Sequence, residues 1–448
     1  MTLALNLLGV LIFVVAILVS IGLHELGHMI PCKAFGGKVT QYFIGFGPTV
    51  WSKQVGETEY GVKAIPLGGY VKIIGMLPPG AVELADEVEY DEHGEAVVKV
   101  RKSNTGMFTQ LISDARAAEW ELIRPEDSPR LFYKMPWWKK VVVMAGGPSV
   151  NILIAFGVFV AVFATFGNPN DVRALPIAQE VADCVVPFAE SDRACRPTDP
   201  IAPAKLAGIK AGDRFVSFNG QPIGSWDELS EAIRANGDKP ATIGVIRDGQ
   251  QKLLEATTRV ELRPTSTTDE TLVSVGFLGV TPVGEYVTGG PLYTVGQMGT
   301  MTVETVKALG SLPVKVGHVG LALIGVEERD PEGPISIVGG ARLAGEVTAH
   351  PAFPWRDKVI TLLMLIAGFN FFIGMFNFVP LLPLDGGHIA GALWEGIRRN
   401  IARLRRRPDP GYVDVARLLP IAYVMATAFL VMGVVLIVAD IVVPLRLS

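Results

Sequence analysis

His24-Glu25-Leu26-Gly27-His28 places two imidazoles and a carboxylate within five residues. On a helix, residues i and i+4 share a face, so both histidines reach one ion. The glutamate lies beside them, where it takes a proton from water held at that ion. This is the H-E-x-x-H arrangement of a zinc-dependent hydrolytic centre, which needs a third protein ligand and an open fourth position. Five residues alone match by chance in many chains, and position gives these their weight. They follow Met1–Leu23, a run without one charged side chain. Ionisable groups at membrane depth are costly to desolvate and functional by default. The bland alternative is a helix end with snorkelling polar side chains; it leaves the next motif unexplained.

That motif runs from Asn377 to His388, Asn-Phe-Val-Pro-Leu-Leu-Pro-Leu-Asp-Gly-Gly-His. Asp385 is the only acid between Val359 and Ile389. A lone buried carboxylate protonates sooner than it ionises, and a zinc ion supplies the compensating charge. His388 is the rival third ligand; Asp385 is preferred, with His388 beside the ligands or at the cytoplasmic edge. Pro380 and Pro383 prevent a regular helix here. Broken backbone at membrane depth survives only where it lines protein or a wet cavity.

The elements that carry these residues are apolar runs. The chain of 448 residues is 49% hydrophobic and 19% charged, against about 25% charged in an average soluble domain. Four uncharged stretches reach the roughly 20 residues that cross a bilayer: Met1–Leu23, Val141–Asn170, Val359–Leu384 and Leu418–Ala439. The first lacks a basic leader and a small-residue cleavage site, so it reads as a retained helix and not a signal peptide. A net charge of −4 excludes electrostatic wrapping of nucleic acid. Basic residues crowd the loop after the first span and the loop after the third, where Arg398, Arg399, Arg403, Arg405, Arg406 and Arg407 cluster. The positive-inside rule therefore puts both loops in the cytoplasm and both termini outside. The long segment between spans two and three is then external, where Cys184 and Cys195 are expected to form a disulfide. Cys32, on the other side, is expected to pack.

Between Lys38 and Met76 short strands are punctuated by glycine, and residues 77–130 are acidic, weakly periodic and expected to be a mobile insertion without chemistry. The external segment reads as alternating strands around Pro203–Asp213, a helix over Trp226–Ala235 and a hairpin turning at Asp248-Gly249. It resembles a PDZ domain, most specifically in Ala207-Gly-Ile-Lys-Ala-Gly-Asp213. The Gly-Leu-Gly-Phe carboxylate loop of such domains is missing where it is expected, and a cysteine-containing insertion stands there. Residues 300–326 read as an amphipathic interfacial helix and not a fifth span.

With these motifs, together with Gly45-Phe-Gly47, Pro66-Leu-Gly-Gly-Tyr70, Gly146-Gly-Pro-Ser-Val-Asn151 and Gly333-Pro-Ile-Ser-Ile337, nearly the whole chain resembles the site-2 proteases. These are intramembrane zinc metalloproteases of regulated proteolysis, and the actinobacterial members with a PDZ domain are the nearest in pattern. The resemblance implies a polytopic α-helical membrane protein in a bacterial cell membrane. It would have four transmembrane helices, a membrane-reentrant β-hairpin and an inserted external PDZ-like α+β domain. The implied organisation is a first helix at 1–30, the hairpin at 31–76, the acidic insertion at 77–140 and a second helix at 141–167. The PDZ-like domain follows at 172–265, then a strand tail and interfacial helix at 266–355 and the third segment at 356–390. A basic loop at 391–417 and a fourth helix at 418–443 complete it.

The resemblance implies His24, His28 and Asp385 as ligands of one zinc ion and Glu25 as general base. Asn377, Gly45, Gly47, Gly68 and Gly69 are implied to engage substrate, the hairpin offering a strand edge to an unwound helix. His388 and Asn151 are candidates to support the ligands from behind. The implied partners are membrane lipid and transmembrane substrates such as anti-sigma factors, already trimmed outside by a site-1-type protease. The inserted domain is then expected to exclude intact ectodomains. A competing reading is a non-catalytic PDZ-bearing membrane adaptor with a structural zinc site closed by His388. A metal transporter would show internal repeats, and none is found.

Overall fold

The computed structural model describes residues 2–78, 88–90, 96–98, 107–120, 123–190, 193–265 and 271–445. The chain divides into two compact units, Met1–Val162 with Gly290–Ser448, and Phe163–Gly289.

Helix α1, Thr2–Ala34, is apolar nearly throughout. At about 1.5 Å per residue it exceeds the roughly 30 Å hydrocarbon core, so the histidine motif lies on helix. Strands β1, Val39–Val55, and β2, Thr58–Ile73, form one antiparallel hairpin that folds back on itself. Tyr42 pairs with both Val71 and Tyr60, Phe43 with both Tyr70 and Gly61, and Ile44 with both Gly69 and Val62. Thr49–Val55 then pairs with Thr58–Lys63. The segments lie side by side in the order 65–73, 39–46, 58–63, 49–55. Positive φ at Gly45 and Gly47, 92° and 83°, lets β1 make the bend that L side chains resist.

Strands β3, Val88–Tyr90, and β4, Ala96–Val98, pair with each other, and helix α2 spans Met107–Trp120. Much of the acidic insertion lies outside the described residues. Its described end, however, is bound and not free. Glu119 accepts hydrogen bonds from the Met76 and Leu77 amides, and Arg116 pairs with Asp414 at 2.6 Å. Leu131, Phe132 and Tyr133 are buried. The insertion expected to reach residue 140 therefore gives way to packed chain well before it. Helix α3, Trp137–Thr165, then crosses α1 with the two backbones in contact: a Cβ on Gly27 would stand 2.5 Å from the Gly146 carbonyl oxygen.

The inserted unit comprises β5 (Asn168–Val181), α4 (Pro203–Leu206), β6 (Arg214–Phe218), β7 (Gln221–Pro222), α5 (Trp226–Asn236), β8 (Pro240–Arg247), β9 (Gln250–Thr257), β10 (Arg259–Pro264), β11 (Leu272–Phe277) and β12 (Val280–Val287). Its main sheet runs β12-β5-β6-β8-β9 with β7 on β6, and β10 pairs with β11 separately. Phe215, Leu229, Ile243, Val245 and Leu278 form its core. Asp248 and Gly249 both take positive φ in the β8–β9 turn, as the Asp-Gly pair suggests. Cys184 and Cys195 are joined in a disulfide. The expected limit at residue 265 is too early. β12 pairs with β5 and Leu278 is in the core, so the expected strand tail completes this sheet.

The chain returns through α6, Pro291–Leu323, which contains most of the expected interfacial helix. Helix α7, Ile337–Ala349, is capped by Ser336 and lies outside the expected elements. It packs against α1 through small residues. A Cβ on Gly9 would strike Thr348, and one on Gly345 would meet Asn6 at 2.9 Å. Phe13, Ile17 and Ala344 form the core of this contact. Helices α8, Trp355–Asn377, α9, Asp385–Leu404, and α10, Leu419–Val442, follow. Among the described residues four helical segments are long and apolar enough to cross a membrane: α1, α3, α8 and Val415–Val442. They fit a polytopic membrane protein.

Candidate metal centre

Helix α1 presents His24 and His28 from one face, and Asp385 opens α9 after the break at residues 378–384. Glycines permit that break to fold tightly. A Cβ on Gly386 would collide with the Val379 carbonyl, and one on Gly387 would lie 2.6 Å from the Leu382 nitrogen. The Asp385 carboxylate is thereby held against α1. Its Oδ2 is 3.3 Å from each histidine Nε2, and the two Nε2 atoms are 3.2 Å apart.

These distances test the chemistry of the donor set. Tetrahedral zinc with ligand bonds of about 2.0–2.1 Å has donor atoms roughly 3.3 Å apart. The other ring nitrogens settle the tautomers. His28 Nδ1 donates to the Val143 carbonyl at 2.9 Å, since a carbonyl can only accept. His24 Nδ1 faces Asn151 Oδ1 at 3.0 Å and donates to it. Both Nε2 lone pairs are then free for a metal, with the rings oriented by outer hydrogen bonds.

Space in front of the donors comes from α3. A Cβ on Gly147 would strike His28 Nε2 and lie 2.7 Å from His24 Nε2. Hydrogen is the only side chain that leaves room there. The residues therefore fit zinc in donor type, spacing, tautomer and clearance.

The centre opens on a cavity of about 490 Å³. Glu25, Asn151, Asn377 and His388 all line it, as do Gly68 and Gly69. Glu25 follows His24 on α1, and its Cγ is 3.1 Å from where a Gly69 Cβ would stand. Asn377 is the last residue of α8, and its Nδ2 donates back to the Ile373 carbonyl at 3.1 Å. His388 lies outside the three-donor cluster; among the described residues that cluster is His24, His28 and Asp385. A closed four-ligand site on His388 therefore has no support in the geometry. Gly45 and Gly47 are not in the cavity lining; they bend the hairpin. Gly68 (φ 97°) and Gly69 belong to the hairpin's outermost segment, which among the described residues has no second strand partner; its residues 68–71 line the cavity, where the Val71 amide hydrogen-bonds to the Glu25 carboxylate.

Sequence reasoning missed Gly147 and the Val143 carbonyl. A carbonyl leaves no trace in residue type. Gly147 sits in a quoted motif, but glycine inside an apolar helix is also ordinary helix packing.

A family model described as "Peptidase family M50" matches residues 12–416. The chain is 35% identical over 453 residues to the zinc metalloprotease Rip1 of Mycobacterium tuberculosis (strain ATCC 25618 / H37Rv), covering 98% of each. It is 34% identical over 451 residues to the zinc metalloprotease Rip1 of Mycolicibacterium smegmatis, again covering 98% of each.

Proposed function

The chain belongs to peptidase family M50 and is an intramembrane zinc metalloprotease of the site-2 type, and on that premise we propose that His24, His28 and Asp385 hold one zinc ion while Glu25 is the general base. The observation that carries the assignment is the triangle of three donor atoms at 3.2–3.3 Å beside Glu25.

Bound there, zinc supplies a Lewis acid that polarises a carbonyl and acidifies water. Glu25 takes the proton of the attacking water and returns it to the leaving amine. The cavity-lining edge at Gly68–Tyr70 pairs with the substrate backbone, replacing the helical hydrogen bonds that a transmembrane segment gives up on unwinding. Glycine at 68 and 69 removes side chains that would hold that backbone away. Asn377 contributes a side-chain amide to the lining of the same cavity.

The substrates of this reading are single-span membrane proteins, anti-sigma factors among them, first trimmed by another protease. The chain spans the bacterial cell membrane four times, with both termini and the PDZ-like inserted unit external and the hairpin reentrant. In the inserted unit β12 is an edge strand, entered through Gly279 at φ 86°. Strand addition by an extended peptide belongs there, and not in the cysteine-containing loop.

The test is cleavage of a tagged single-span substrate by purified protein, with metal content measured on each sample. Glu25→Gln should retain zinc and lose at least about 10³-fold in rate. His28→Ala should lose both zinc and cleavage. A Glu25→Gln protein that keeps zinc and cuts as fast as wild type would end the proposal.

A further inference from the structure

Helix α9 carries a feature that cleavage chemistry leaves unused. Leu393, Trp394, Ile397, Ile401 and Leu404 are 43, 54, 49, 44 and 86% exposed. At about 100° per residue they occupy roughly a 100° arc, the width of a membrane-facing stripe. The opposite face is engaged: Ala392, Glu395 and Gly396 are buried, Gly396 against Trp137 and Glu395 in an ion pair with Lys140 at 2.7 Å. The stripe is therefore not a core face turned outward by mistake.

Arginines border it. Arg398 and Arg403 flank the arc on its two sides, and Arg405, Arg406 and Arg407 follow at the helix end. Arg399 is occupied by Glu395 and Asp409, and Arg398 donates to the Pro410 carbonyl. Among the described residues no carboxylate lies within ion-pair distance of Arg403, Arg405, Arg406 or Arg407. Both ends of the helix are tied to membrane-crossing segments, α8 seven residues before it and Val415–Val442 after it. The helix itself is not among the segments apolar enough to span.

We infer that α9 lies in the plane of the membrane interface, with its apolar stripe in the acyl region and its arginine tract on anionic lipid headgroups. A helix with an exposed apolar arc, basic flanks and low net hydrophobicity partitions in this way, and juxtamembrane basic residues recognise anionic lipid phosphates. Charge selects the occupant: four unneutralised guanidiniums beside an apolar arc match an anionic lipid surface. The consequence follows from chain continuity. Asp385 is the first residue of this same helix, so lipid holds the helix that carries the proposed third ligand. The lipid contact does not rest on the metal assignment, but this consequence does.

The test uses the full chain in nanodiscs of phosphatidylcholine alone or with phosphatidylglycerol, one copy per disc. Single cysteines replace Ile397, Ile401 and, as an exposed control, Pro408; native Cys32 is buried and the other two cysteines are bridged. A charged maleimide reports their exposure. Ile397→Cys and Ile401→Cys should label at least tenfold more slowly than Pro408→Cys when phosphatidylglycerol is present, and faster without it. Changing Arg403, Arg405, Arg406 and Arg407 together to Gln should abolish the lipid difference while zinc content stays at the wild-type level. The same four changed to Lys should retain it. Labelling as fast as the control in both lipids would overturn the inference. So would protection indifferent to phosphatidylglycerol, or protection seen only with two copies per disc, which would mark a protein contact. Zinc content is read separately, so failure of the metal assignment remains distinguishable.

Discussion

The candidate metal centre and the inserted unit are assembled by opposite means. At the metal centre what matters is side chains that are missing: Gly27 and Gly146 bring α1 and α3 into backbone contact, Gly147 clears the donors, and Gly386 and Gly387 fold the loop behind Asp385. The inserted unit is held by side chains that are present. Phe215, Leu229 and Ile243 fill its core, and buried Asp213 takes two hydrogen bonds from Arg247 at 2.7 and 2.6 Å. The physical reason is the solvent. Between helices in lipid there is no hydrophobic drive, and close backbone approach supplies the dispersion contact that binds them. In water, apolar side-chain area does that work.

The sharpest way to break this contrast is Gly147→Ala. One methyl should cost nearly all bound zinc and at least about 10³-fold in cleavage, with the inserted unit's thermal transition unchanged. Retention of stoichiometric zinc in that variant would show that the clearance is dispensable. The reverse experiment is Arg247→Ala, which leaves the Asp213 carboxylate buried without its partner. A loss of about 3 kcal/mol in the inserted unit's unfolding is expected, with zinc content intact. Burial alone would raise the Asp213 carboxyl, but Arg247 and the Lys210 amide hold it below the ordinary range. Its contribution is therefore complete above about pH 4 and lost as pH falls through the depressed folded value.

A smaller effect sharpens the same comparison at the metal. Asn151→Ala removes the acceptor for His24 Nδ1 and should weaken zinc about 10- to 100-fold without abolishing it. Competition with a chelator of graded strength would measure this. Smallest is the half-buried Arg193–Asp199 pair near the disulfide, where Arg193 holds the Asp199 carboxyl down to about 2. Its stabilisation is present above about pH 4 and disappears as pH falls through 2. Arg193→Gln should erase that part of the acid-unfolding profile and little else.

How legible each region was follows from the same contrast. The motif at residues 24–28 could be read because a helix turns spacing into a shared face, and Asp385 because a lone acid in an apolar run demands a counter-charge. The four spans announced themselves by length. The strands of the inserted unit were legible through alternation and the Asp248-Gly249 turn, yet its boundary was not. β11 and β12 look like a tail until β12 pairs with β5 across more than a hundred residues. Helix α7 carries little sequence signal because its buried face is mostly glycine and alanine, which are weakly hydrophobic. The double pairing of Tyr42, Phe43 and Ile44 could not be seen either, since either partner alone satisfies the local pattern.

The amino-acid order by itself determined which groups are available, two imidazoles and two carboxylates at the margins of uncharged spans, and that a membrane would be their surroundings. It did so because charge in lipid is expensive and survives only with a purpose. Only tertiary structure shows that Asp385 stands within 3.3 Å of both histidines while His388 lies outside the three-donor cluster, that Asn151 and the Val143 carbonyl meet the outer ring nitrogens, and that Gly147 leaves the space. Those outcomes depend on contacts of a few ångströms between helices far apart in the chain, and residue spacing along one helix contains no such distance.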